Sequence, residues 1–193
     1  MGLTIFYSGK IRDIQLLPEL TSEVTDICDD LHWVTGPHRH SKEIPLQGFH
    51  FHPPGCEPVW LTFRQDGLLA DPVYFIFKYC NDPDITPDQE YMLCTVTQYA
   101  GIDAHMALIR LLRYLSRKYF EDFQLIDESE YWETGDAGQC IKRFKYFTQE
   151  MDEMSGKLDP LDGRVGETGE TFSERIEELL RIRGWDEILD ALG

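Results

Sequence analysis

Apolar and polar residues alternate over residues 3–10, with Leu3, Ile5 and Tyr7 on one side and Thr4, Phe6 and Ser8 on the other. That two-residue period predicts a half-buried strand. The period then lengthens. Leu17, Leu20, Val24, Ile27, Cys28 and Leu31 recur at three- and four-residue steps across residues 17–33, which predicts an amphipathic helix with Pro18 tolerated in its first turn and Gly36-Pro37 as its stop. Alternation returns weakly over residues 34–43 and clearly over 48–52, where Phe49 and Phe51 share a side. Over residues 59–64, Val59, Leu61 and Phe63 oppose Trp60, Thr62 and Arg64, and Asp66-Gly67 follows as a turn signal. Residues 73–79 are nearly all apolar and predict a central strand, residues 82–88 with Pro83 and Pro87 predict a loop, and residues 91–99 predict a further strand.

The second half is helical. Leu108, Leu111, Leu112, Leu115 and Tyr119 form the stripe of a long helix over residues 103–123, with Asp103 as its N-cap. A short strand is expected within residues 124–132. Asp136 then caps another helix, with Gln139 as capping-box partner and Ile141, Phe144, Phe147, Met151, Met154 and Leu158 as its stripe. Connections between consecutive strands are too short for crossovers. The expected fold is therefore α+β: a mixed, mainly antiparallel sheet with helices packed on one face, plus a C-terminal helical tail. Residues 1–155 form the α+β domain, 156–170 an acidic Gly-rich linker, and 171–193 a C-terminal amphipathic helical segment opened by Thr171 and Glu174.

Charge narrows the partners. The chain of 193 residues carries 35 Asp and Glu against 18 Lys and Arg, a net charge of −17. A field of that sign repels phosphate backbones and anionic lipid, so neither nucleic acid nor a membrane is an expected partner. The basic cluster Arg110, Arg113, Arg117 and Lys118 reads as the solvated face of its helix. No apolar run approaches the ~18 residues of a membrane span. Residues 1–6 lack the basic start of a secretory signal. Five cysteines, an odd number without a C-x-x-C pair, read as reduced thiols of a cytoplasmic protein.

Candidate chemistry concentrates in LQGFHFHPPGCEPVWLTFR, residues 46–64, where two strand-like runs meet at Pro53-Pro54-Gly55. His50 and His52 share a strand face, and His38 and His40 have the same spacing. In a hairpin turning near Pro45, His40 would oppose His50 and His38 would oppose His52. Those four imidazoles would make a divalent-metal site, and a metal-dependent hydrolase, if the register is even. The plainer reading is a set of partly exposed histidines on a polar sheet face. Cys56 beside Glu57 could be a nucleophile with a histidine base, or a thiol packed inward at a turn. Glu130, Glu133 and Asp136 gather carboxylates around Tyr131 and Trp132, although Asp136 is already explained as a cap. Thr97 to Gly101 leads into a helix N-terminus, where His105 reads as a packing or capping residue.

A broader reading uses the whole sheet. The face away from the helices would carry His50, His52, Trp60, Thr62, Arg64, Thr95, Thr97, Tyr99 and Phe6, with Glu57 at its margin. Trp60, Arg64, Thr97, Tyr99 and Glu57 are its candidate ligand-binding residues, because aromatic and Arg side chains favour recognition. The alternatives are an ordinary solvated face, or one covered by the C-terminal helix or by a second copy in a homodimer. The favoured function is a non-enzymatic domain that binds a protein or small-molecule partner.

The opening GLTIFYSGK, the PPGCEPV run, TQYAG and DESEYWETGD together resemble a family of bacterial proteins without an established activity, over residues 1–154. The resemblance implies a bacterial cytoplasmic protein and carries over no catalytic or binding residues.

Overall fold

The computed structural model describes residues 3–38, 46–73, 75 and 92–158, with side chains as far as 149. In chain order the elements are β1 (Thr4–Ile11), a 3-10 turn (Ile14–Leu16), α1 (Leu17–Asp30), β2 (Val34–Pro37), β3 (Gln47–His52), β4 (Val59–Phe63), β5 (Leu93–Val96), a second 3-10 turn (Gln98–Ala100), α2 (Ile102–Tyr119), β6 (Phe120–Asp127), the short α3 (Tyr131–Thr134) and α4 (Ala137–Leu158). The chain divides into two units, Met1–Thr148 and Gln149–Gly193, and the described elements belong to the first apart from the last turns of α4. The linker and C-terminal segment expected over 156–170 and 171–193 lie outside the described residues beyond Leu158. Among the described residues no helix is long and apolar enough to cross a membrane.

The fold is α+β, and every strand pairing is antiparallel. The strands do not join one sheet, however. They divide into β5-β1-β6 and β2-β3-β4. Alternation decides which side of each goes inward. Leu3, Ile5 and Tyr7 beside β5 and β6, and Phe49, Phe51, Val59, Leu61 and Phe63 on β3 and β4, enter a shared core with Leu20, Val24 and Cys28 of α1 and Leu108, Leu112 and Leu115 of α2. At ~25 cal/mol per Å² of buried apolar surface, this core is the main favourable term in folding.

A fully buried phenol holds the two sheets together. The Tyr7 hydroxyl donates to Trp60 O at 2.9 Å and accepts from Trp60 N at 3.0 Å. Further along, Gly67 to Ala70 lies between β1 and β4. Ile11 N and Leu69 N bond to Gly67 O and Gly9 O on one side, while Arg64 N and Ala70 N bond to Leu68 O and Thr62 O on the other, each at 2.9 Å. This segment bridges the two sheets, pairing Leu68 with Lys10 and Leu69 with Phe63, and it satisfies Arg64 N and Thr62 O on the β4 edge.

Three further expectations change. Pro72, Val73 and Phe75 are helical rather than extended. Asp71 caps this turn, accepting from Val73 N at 2.7 Å, and Pro72 fits the first position, where its missing N–H costs nothing. The remainder of the strand expected over 73–79 lies outside the described residues, except Phe75, which clusters with Leu46 and Ala70. α2 starts from Gly101 rather than an Asp103 cap and ends at Tyr119, four residues early. Phe120–Asp127 is instead a strand paired along β1. The expected solvated face of α2 is exposed at Arg110, Arg117 and Lys118, but three of the four basic residues also hold partners. Arg110 Nε donates to the Tyr131 hydroxyl at 3.0 Å, Arg113 donates to the carbonyls of Tyr131 and Trp132, and Lys118 holds Glu23 of α1 at 2.8 Å. Burial works against the Glu23 carboxylate, but the ammonium of Lys118 and the hydroxyls of Tyr114 and Tyr119 outweigh it and hold its pKa down at about 2.

Replacing Tyr7 by Phe keeps the ring and removes both bonds to Trp60. The expected result is a loss of about 2 kcal/mol, since a buried unsatisfied donor or acceptor costs that order. Urea unfolding checks it: the midpoint should fall with the slope unchanged, and an unaltered midpoint would show that the sheets do not depend on this phenol.

Candidate functional site

The outward side of the β2-β3-β4 sheet gathers an aromatic cluster. Phe49 and Phe51 point inward, so His50 and His52 point outward. The pairing sets Gly36 on one side of His50 and Trp60 on the other. A Cβ at position 36 would lie 2.7 Å from His50 Cε1, so a side chain there would displace that ring from its present position. The His50 ring lies 4.6 Å from Trp60, tilted by 48°, and His38 meets Trp60 edge-on at 6.1 Å. Trp60 is half-buried between them. His50 Nδ1 is shielded from water and has no hydrogen-bond partner. Burial, and then the proximity of His52, push the His50 pKa below its ordinary value, so the ring is neutral near pH 7. His52 is exposed, with Nε2 against the carbonyl of Cys56.

The expected histidine pairing does not form. Gly36, not His40, faces His50, and Val34, not His38, faces His52. The register is displaced by an even step, so His38 and His50 still share a face, but as diagonal neighbours. His38 N bonds to Gly48 O at 3.0 Å, which extends the pairing past β2. His40 lies outside the described residues. Among the described residues, no group of three or more His, Cys, Asp or Glu is gathered to hold a metal ion.

The Pro-Pro-Gly joint follows turn chemistry. Cys56 N bonds to Pro53 O at 3.0 Å, Pro54 takes the position that favours fixed φ, and Gly55 at φ 77° takes the one that needs left-handed backbone. A Cβ on Gly55 would also lie 2.8 Å from Tyr99 O, so the joint packs directly on the turn after β5. Glu57 clasps β5: its N donates to Val96 O, its carboxylate accepts from Val96 N, both at 3.2 Å, and its carbonyl accepts from Thr95 Oγ1 at 3.0 Å. Cys56 is buried, and that burial, then Glu57, push its thiol up to about 11. A thiol so protonated is a packing group rather than a nucleophile.

The broad platform expected from one sheet is dispersed by the division into two. Thr62, Thr95 and Thr97 are fully buried, and Thr62 Oγ1 bonds to Ala70 O at 2.6 Å. Arg64 pairs with Asp66 at 3.0 Å in the turn after β4. Tyr99 stands 74% exposed beside the joint. Phe6 is on the outward side of the other sheet, between Cys94 and Ile126. Of the expected face, Trp60 and His50 are brought together, joined by His38 from the expected histidine set. A cleft of about 170 Å³ lies between α1 and β2-β3, lined by Thr21, Thr25, Thr35, Gly36, Pro37, Gly48 and Phe49. The Thr21 and Thr25 hydroxyls already bond to carbonyls of their own helix.

A polar network deep in the core has the residue types of a hydrolase but is sealed from solvent. His105 Nδ1 is 2.7 Å from Thr97 Oγ1, while Nε2 is 2.8 Å from Ser129 Oγ and 3.2 Å from Asp127 Oδ1. In a nucleophilic triad the carboxylate holds the imidazole nitrogen that faces away from the hydroxyl. Ser129 and Asp127 share one nitrogen, and although Thr97 stands on the other, its Oγ1 also bonds to Leu3 O at 3.2 Å and all four side chains are buried, out of reach of a substrate. The network is structural, as expected for His105. Asp127 also accepts from the N–H groups of Ser129, Tyr131 and Trp132, which turns the chain from β6 into α3. Asp127 and Ser129 went unnoticed in the sequence, although D-x-S is an Asx-turn signal. The carboxylates that drew attention have other work: Asp136 caps α4, accepting from Gly138 N at 2.7 Å, Glu130 holds Arg143 and Gln139, and Glu133 is exposed.

No protein-family model matches the chain, and neither does any curated protein or solved structure.

Burial raises the Asp127 pKa, but hydrogen bonds and charge from His105, with the bonds from Ser129, outweigh it and bring the pKa below its ordinary 3.8. A carboxyl depressed by folding contributes stability above its unfolded pKa, and loses that contribution as pH falls through the folded value. Urea midpoints of the wild type should therefore fall as pH drops below about 4. Asp127→Asn should be less stable at pH 7 and show a flatter acid limb; parallel limbs would remove Asp127 from the acid response.

Proposed function

We propose that the protein is a non-enzymatic binding domain of the bacterial cytoplasm that holds a protein or small-molecule partner at Trp60, on the outward face of β2-β3-β4. The observation that carries this reading is His50 Nδ1, shielded and unpaired beside a half-exposed tryptophan. Such a group costs about 1–3 kcal/mol in the free protein, and a partner that supplies a hydrogen bond recovers it. Trp60 adds a large flat surface for an apolar or aromatic group. The protonated Cys56 thiol and the sealed His105 network favour binding over nucleophilic hydrolysis. The free thiols of Cys28, Cys56, Cys94 and Cys140 suit a reducing compartment.

The second reading is a metal-dependent hydrolase centred on His38, His40, His50 and His52. It is favoured by one observation, the convergence of His38 and His50 on Trp60.

Affinity capture from a bacterial extract, with wild type, Trp60→Ala and His50→Leu as baits, separates the readings. A protein or metabolite identified by mass spectrometry should be retained by wild type and reduced at least tenfold by both variants. His50→Leu should not lower the urea midpoint, because it removes an unsatisfied polar atom. Equal retention by all three baits sinks the proposed site. Stoichiometric zinc binding to untagged protein, lost in His38→Ala and His50→Ala, would favour the hydrolase instead.

A further inference from the structure

The strand edges of the fold are treated unequally. The outer side of β4 bonds to residues 68–70, and β5 is clasped by Glu57. β2 is the opposite edge of its sheet. His38 N bonds to Gly48 O, so residues 38 and 48 share a ladder bond, and by the alternation of an antiparallel pair Gly36 bonds to His50 and Val34 to His52. Thr35 and Pro37 therefore turn their backbone groups away from β3. Pro37 has no N–H. The N–H and C=O of Thr35 and the C=O of Pro37 have no hydrogen-bond partner among the described residues.

The same stretch lines the cleft beside α1. Thr35 and Pro37 lie opposite Phe51 and Phe49, so their side chains share the inner side of the sheet, and Thr21 and Thr25 close the cleft from the helix. The hydroxyl protons of Thr21 and Thr25 are spent on Leu17 O and Thr21 O. No lining residue is charged. At about 170 Å³ the cleft is close in size to the ~150 Å³ cavity that holds a benzene ring, so it takes one group the size of a leucine or phenylalanine side chain.

We propose that β2 receives a short extended segment of a partner protein as an added antiparallel strand, and that one uncharged apolar side chain of this segment enters the cleft. The residue opposite Thr35 exchanges two main-chain bonds with it, and the side chain of that residue falls on the inner side of the sheet, where the cleft is. The residue two positions earlier donates to Pro37 O. Because Pro37 offers no N–H, the paired stretch is short, and the cleft supplies the selectivity. A free ring compound would fill the cleft and leave Thr35 unpaired. A second copy would bring another Thr35 or Pro37 in place of a large apolar residue, together with a further −17. The site is separate from Trp60, which belongs to the far strand β4 and the outward face.

The test uses the full chain and two capped, fluorescently labelled seven-residue peptides of serine, threonine and valine, one with leucine and one with phenylalanine at the centre. Fluorescence anisotropy should show binding of at least one. N-methylation of the central residue, which removes its donor to Thr35 O, should weaken binding at least tenfold, and so should a central aspartate. N-methylation of either neighbouring valine, whose N–H faces away from β2, should not. Thr25→Leu, which fills the cleft without lowering the urea midpoint, should weaken binding at least tenfold, and Ile126→Asn on the other sheet should leave it unchanged. In nitrogen-15 spectra the Thr35 amide proton should move downfield on saturation. Absence of binding by both peptides, or binding that ignores the position of the N-methyl group, overturns the proposal. Competition by acetyl-leucine methylamide at the same concentration as the peptide overturns it in favour of a small apolar ligand. A concentration-dependent dimer in sedimentation that shifts the Thr35 amide without peptide overturns it in favour of a second copy.

Discussion

The phenol of Tyr7 is the constraint on which the arrangement of the two sheets depends. A β4 edge facing the core would ordinarily need a strand beside it to satisfy its amide groups. Instead one hydroxyl both donates to and accepts from the Trp60 backbone, and Gly67 to Ala70 satisfies Thr62 and Arg64 beyond it. Burial, the largest influence on this phenol, raises its pKa far above the ordinary value, so it remains a donor at any pH the fold survives. The same residue that is pinned through its backbone presents its indole on the outward face. The position of the candidate site is thus set from inside the core.

That mechanism explains which parts of the fold were legible in the sequence. β1, α1 and β3 were readable because each buries mainly one side, and a one-sided burial imprints a period on the residues. The number of sheets was not readable. It turns on a side-chain hydroxyl standing in for a strand, and no periodicity records that. The boundary between α2 and β6 failed for another reason. Tyr119, Phe120 and Phe123 fit the helical stripe as well as they fit a strand, and the pairing with β1 decided between them. Asp127 was obscured because it is a carboxylate in a buried position of β6, tolerable through the turn just beyond it, Ser129 and three backbone N–H groups, and through His105 from α2.

The candidate site was half legible. The outward direction of His50 and Trp60 followed from the inward direction of Phe49, Phe51, Val59 and Leu61. Their partners did not follow, because Gly36-Pro37 looks like a helix stop and is part of β2. A glycine there serves the site directly, since the missing side chain is the space that His50 occupies. The even displacement of the register then saves the grouping: an odd slip would have turned His38 away from Trp60 altogether.

The acidity of the chain acquires a spatial meaning from these contacts. Lys10, Arg64, Lys118 and Arg143 each hold a carboxylate, and Arg110 and Arg113 are committed to the turn around Tyr131. With those cations engaged internally, the excess of 17 negative charges acts on whatever approaches from outside. The two outer faces respond differently to that field. At Trp60 the groups on the outward face are the indole and the neutral His50 imidazole, which offer hydrogen bonding and ring contact rather than charge. Across Cys94, Phe6 and Ile126 the outward row of β5-β1-β6 is apolar instead. The net charge of the whole chain therefore describes neither face; which residues the register turns outward on each sheet does.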